Sequence, residues 1–151
     1  VNFTTYDHCG GLAAVPLALR QELEAAIQAC GIAPARGTAS KIGTAIVDAL
    51  VQSGWSGEVK VARASGITIT SVKSGIGLCL QTGNMSRMYA DLMKLQQMFL
   101  NKSIKAGVMV VPDHAAAKNM GDNIINADRL KRELNIFCSV VHMPLVVFAF
   151  G

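Results

Sequence analysis

The stretch Ile76-Gly-Leu-Cys-Leu-Gln-Thr-Gly-Asn-Met-Ser-Arg-Met-Tyr-Ala-Asp-Leu-Met-Lys-Leu-Gln96 changes its apolar period part-way along. Ile76–Gln81 reads as a strand. Thr82–Arg87 is a polar loop, and Met88, Leu92, Leu95, Met98 and Phe99 then fall on one helical face running through Leu100. Asn84 or Ser86 is placed to cap that helix. Upstream, Glu58–Arg63 and Ile67–Val72 alternate in the same way, and Ala-Ser-Gly and Lys-Ser-Gly turn signals separate the three runs. The expectation is an antiparallel three-strand meander. Downstream, Gly107 introduces the apolar run Val108–Val111, closed by Pro112, which suits a strand buried on both faces.

Helices are expected over Leu17–Ala29, with Pro16 in the first turn and Gly31 as the stop, and over Lys41–Gln52, capped by Ser40 and ended by Gly54. Asp113–Met120 and Ala127–Ile136 read as helices, and Leu145–Phe150 as a last strand. The order describes one α/β domain over residues 1–151: a mixed sheet, formed by the meander, a crossover helix and further buried strands, flanked by helices.

The chain has 151 residues, of which 51% are hydrophobic and only 16% charged, against about 25% in an ordinary soluble domain. Acids are the scarcer sign: 10 Asp and Glu face 14 Lys and Arg. Chemistry through paired carboxylates therefore has few candidates. The longest apolar stretches, Leu12–Leu19 and Met143–Phe150, are eight residues each and contain proline, whereas a spanning helix needs about 20. No basic-then-apolar leader pattern precedes Arg20, so a soluble cytoplasmic protein is expected, with no membrane partner. Cys9, Cys30, Cys79 and Cys138 form no CxxC pair, and His8, His114 and His142 are scattered. Free thiols and no metal site are expected.

Between Ala49 and Pro112 there are seven basic residues and only two acids, Glu58 and Asp91. Such a local surplus favours a polyanion. Aromatic residues make up 5% of the chain, too few for a single-strand stacking platform, so duplex DNA is the better match. The candidate contacts are Lys73 and Lys94 together with the Gly83-Asn84-Met85-Ser86-Arg87 loop. This loop meets a helix N-terminus, where backbone N–H groups suit a phosphate, and Gly83, Asn84, Ser86 and Arg87 are its candidate binding residues. Simple capping explains Asn84 and Ser86 equally well without a ligand.

These residues resemble the signature of the BglII/BstYI-type restriction endonucleases, whose fold is the PD-(D/E)xK nuclease fold. In that family an E-x-Q strand runs into a G-N-x-S-R loop and a Tyr-x-Asp-Leu helix, as Cys79–Leu92 does here apart from the Glu. Lys105–Pro112 is similar to the family's aGVxivP strand. Arg129–Leu134 is similar to its RvkREL segment, and Pro144–Val147 to its vPilvi ending. Weaker matches at Tyr6-x-His8-x-x-Gly11, Ser40-Lys41 and Gly54-Trp55 extend the likeness over nearly the whole chain. The resemblance implies a restriction-endonuclease-like fold, duplex DNA as partner and a homodimer or larger homo-oligomer.

The resemblance also implies a Mg²⁺ site, and there the residues depart from it. Alignment on Gln81 puts the family's Glu at Cys79 and its strand acid at Thr70. Two further acidic positions fall on Ala13 and Ile42. A threonine hydroxyl is a weak Mg²⁺ anchor and a thiol is a soft ligand, whereas phosphodiester hydrolysis needs oxygen ligands around a hard cation. Thr70, Cys79 and Gln81 are thus degenerate catalytic positions, with Asp91 a possible substitute and Asp48, Glu22 and Glu24 more distant ones. Three functions follow. The first is a catalytically degenerate DNA-binding protein that needs no cofactor. The second is an active Mg²⁺-dependent site-specific deoxyribonuclease with relocated ligands. The third is a self-assembling structural protein built on the nuclease fold.

Overall fold

The structure, a computed structural model, describes residues Val1–Gly151. Its centre is the pair of strands that the sequence marks by unbroken apolar runs, β6 (Ala106–Pro112) and β7 (Leu145–Phe150), every residue of which is buried. They pair in parallel, which requires a long connection between them. That connection carries the helices α5 (His114–Met120) and α6 (Ala127–Ile136). Alternate side chains point to opposite faces, so one run of valines feeds two cores. Val108, Val110, Val146 and Phe148 pack with α2 (Leu17–Ala29) and α3 (Ala39–Gln52). Met109, Val111, Leu145 and Val147 pack with α4 (Arg87–Leu100) and α6. No helix is long and apolar enough to cross a membrane.

Outward from that pair the sheet runs β1 (Phe3–His8), β7, β6, β5 (Ile76–Leu80) and β4 (Ser71–Lys73). The strand β5 joins β6 in parallel, and β4 closes that edge antiparallel to β5. At the other edge lies β1, antiparallel to β7 and followed by the single turn α1 (Gly11–Ala14). The sequence does not announce β1, because both of its faces are largely half-buried or exposed and its partner lies at the far end of the chain. Tyr6 Oη donates to Asn135 Oδ1 at 2.9 Å, and a Cβ on Gly11 would stand 2.2 Å from the Leu145 carbonyl. Only glycine permits that approach.

The expected meander is divided. β2 (Val59–Lys60) pairs with β3 (Thr68–Ile69) as a separate ribbon, and only β4 joins the main sheet beside β5. The break falls at Thr70. Its N–H donates to Leu78 O at 3.0 Å, but its side-chain Oγ1, in place of a main-chain carbonyl, accepts from Leu80 N–H at 3.0 Å. A hydroxyl substituted into the ladder redirects the backbone, so one run of β-forming residues serves two sheets. The long helix starts at Arg87, and neither expected cap side chain caps it. Instead Asn84 Oδ1 accepts from Ser86 N–H at 2.9 Å and from Ser86 Oγ at 2.8 Å, forming a turn ahead of the helix. The second helix begins at Ala39 with Thr38, rather than Ser40, at the cap position.

Candidate functional site

The redirection at Thr70 opens a cleft of about 320 Å³ between the end of β5, the β2–β3 ribbon, α3 and α4. Thr70, Cys79, Gln81, Asp91 and Lys94 all line it, and so does Glu58. The sequence motifs therefore bring together four of the positions singled out for catalysis and one singled out for DNA. Glu58 is the one chemically relevant group that motif matching missed. Its signal was present, since it is the only acid besides Asp91 between Ala49 and Pro112. The distant substitutes Asp48, Glu22 and Glu24 do not line the cleft.

The polar groups around Gln81 each have a specific partner, whereas Glu58 has none. Gln81 Nε2 donates to Asp91 Oδ2 at 2.8 Å, and Gln81 Oε1 accepts from Gly83 N–H at 3.0 Å. Lys94 Nζ donates to Asp91 Oδ1 at 2.9 Å, one helical turn along α4. Both oxygens of Asp91 are thereby engaged, and its side chain is 8% exposed. The Cys79 thiol is buried among the α4-side core residues. Burial, reinforced by the Asp91 charge, pushes its pKa far up, against smaller opposing effects of Lys94 and a main-chain hydrogen bond from Thr70. It is a neutral thiol at physiological pH, not a thiolate ligand.

This donor set does not fit the Mg²⁺ that the fold family implies. The Thr70 hydroxyl already accepts a ladder hydrogen bond, Cys79 is protonated and soft, and Asp91 is held from both sides, which leaves Glu58 as the one unpartnered carboxylate in the lining. No three His, Cys, Asp or Glu side chains cluster closely enough to hold a metal ion.

The loop beside the cleft is pinned to the rest of the fold. Thr82 Oγ1 donates to Ala39 O, Met85 N–H to Asn123 O, and Gly83 O accepts from Ile125 N–H. The N–H groups of Gly83, Met85, Ser86, Arg87 and Met88 all find acceptors within the chain. Of the loop's backbone donors only the Thr82 and Asn84 N–H groups lack an acceptor within the chain, so what the loop offers a ligand is mainly side chains. Asn84, Ser86 and Arg87 are exposed, and Arg87 makes no ion pair. Lys73 differs. Its Nζ lies 2.8 Å from both oxygens of Glu22 and 2.5 Å from Ser53 O, and Trp55 Nε1 donates to the same carboxylate at 2.8 Å.

A five-stranded mixed sheet flanked by helices, with a polar cleft where an antiparallel pair meets a parallel one, is the architecture of the restriction-endonuclease fold. A family model described as restriction endonuclease BglII/BglIII matches residues 3–150, and the chain belongs to that family. It is similar to the crystal structure of restriction endonuclease BglII complexed with a DNA 16-mer, with a TM-score of 0.84 at 15% identity over 99% of this chain and 76% of that one. It is also similar to free BglII, with a TM-score of 0.74 at 14% identity over 100% and 80% of the two chains. No curated protein matches. At such identities the likeness shows the fold expected from the motifs; the roles of individual residues must be argued from their own geometry.

Proposed function

We propose that this protein is a duplex-DNA-binding member of its family in which nuclease chemistry is degenerate. The observation that carries the reading is Asp91. It is the only carboxylate hydrogen-bonded to Gln81, and its second oxygen is taken by Lys94. Attack on a phosphodiester needs a metal-activated water and charge neutralisation at the phosphate, and the positions matching the family's acids carry Thr70 and Cys79. Binding does not need those acids. Arg87, Asn84 and Ser86 stand exposed on a fixed loop beside the cleft, and Lys94 lies inside it. The similar BglII structure was solved with DNA bound, which supports the same class of partner here.

A homodimer accompanies this reading. Tyr89 and Met93 on α4, with Ile136, Phe137 and Val140 at the end of α6, expose an apolar face that a second copy would cover. A charge placed there, as in Met93→Glu, is expected to give monomers in analytical ultracentrifugation.

The active alternative draws on one observation, that Glu58 lines the same cleft as Asp91. Incubation of plasmid DNA with Mg²⁺ or Mn²⁺ separates the two readings. The degenerate reading expects intact DNA. Cleavage that disappears in Asp91→Ala would establish the active one.

A further inference from the structure

A DNA phosphate entering the cleft meets few positive charges, and Lys94 is the only basic residue in its lining. An ammonium has three N–H donors. One of those on Lys94 goes to Asp91 Oδ1, no other acceptor within the protein engages the group, and the side chain is 26% exposed. Asp91 in turn is fixed from its other side by Gln81, itself held by Gly83 N–H. The ammonium is thus anchored at one donor with two left for a ligand. A metal ion binding Asp91 would have to share that carboxylate with the Lys94 ammonium, a like charge already paired with it.

We propose that Lys94 supplies within the cleft the positive charge that a divalent cation would otherwise bring to a DNA phosphate, so that duplex binding by this chain is independent of metal. The proposal rests on the DNA-binding reading above. It assigns opposite signs to two neighbouring groups: Lys94 attracts the phosphate, and Glu58, exposed and without a hydrogen-bonded partner, repels it. If a metal bridged protein and DNA, Glu58 would instead be a favourable ligand.

Fluorescence anisotropy of a labelled duplex with the full chain, in EDTA and then in Ca²⁺ at matched ionic strength, tests this. Equal affinity in the two buffers is expected. Lys94→Gln is expected to weaken binding about ten-fold and to reduce the dependence on salt by about one counterion. Lys94→Arg should retain binding, which separates charge from any loss of folding, and Glu58→Gln should tighten it a few-fold. Binding that requires Ca²⁺, an unchanged Lys94→Gln, or a weakened Glu58→Gln would each overturn the proposal. If Arg87→Ala weakens binding while Lys94→Gln does not, the DNA-binding reading stands and this inference alone falls. Wild type that binds no duplex in either buffer removes both.

Discussion

Two lysine–carboxylate pairs show how this fold assigns its charges. In the first, Glu22 on α2 receives Lys73 from β4 and the Trp55 indole, and Lys73 also meets Ser53 O. The ammonium has three acceptors inside the protein, and the cluster ties together α2, the end of α3 and the sheet edge. In the second, Lys94 meets Asp91 alone and faces an open cleft. The two lysines are similarly exposed, at 23% and 26%. What distinguishes them is the number of donors left over, and that separates a charge used for folding from one available to a ligand.

The largest effect on stability is expected at the first pair. Glu22→Ala leaves the Trp55 N–H without its acceptor and the Lys73 ammonium with Ser53 O alone and no counter-charge, a loss of about 2 kcal/mol in urea unfolding. The Lys94→Gln substitution, by contrast, is expected to cost about 1 kcal/mol or less because its pair is a single i,i+3 contact. A larger loss at Lys94 than at Glu22 would reverse the comparison.

On DNA the order inverts. Arg87→Ala should reduce the salt dependence of duplex binding by about one counterion, whereas Lys73→Ala should leave it unchanged wherever the protein stays folded. A Lys73→Ala effect equal to that of Arg87→Ala would mean that the Glu22 pair opens on binding.

The smallest effect concerns Cys79. Burial holds its folded-state pKa well above the ordinary thiol value of about 9. The unfolded chain therefore loses this proton first as pH rises. The stability that the neutral thiol contributes is complete below about pH 9 and declines above it, by about 1.4 kcal/mol per pH unit. Cys79→Ala should flatten that alkaline slope in unfolding measurements, and an unaltered slope would place its cause elsewhere.

The sequence carries much of this architecture, but unevenly. α2, α6 and β7 are found at their expected residues, because period, proline and glycine mark them locally. β1 was invisible, since Phe3–His8 has no clean alternation and pairs only with β7 at the opposite end of the chain. The split of the meander was equally hidden, because it depends on one Thr70 hydroxyl entering the ladder. In the site, Thr70, Cys79, Gln81, Asp91 and Lys94, which the motifs single out, line one cleft. They could not show that Lys73 belongs to Glu22, 51 residues away, or that both Asp91 oxygens are occupied. Both facts are three-dimensional pairings with no local signature.

On the proposed reading, this nuclease fold holds DNA without cutting it. Supercoiled plasmid incubated with the protein and Mg²⁺, examined before and after protein removal, tests it most directly. The expected result is retarded migration in the complex and recovery of fully supercoiled DNA. Nicked or linear products formed by wild type but not by Asp91→Ala would contradict it.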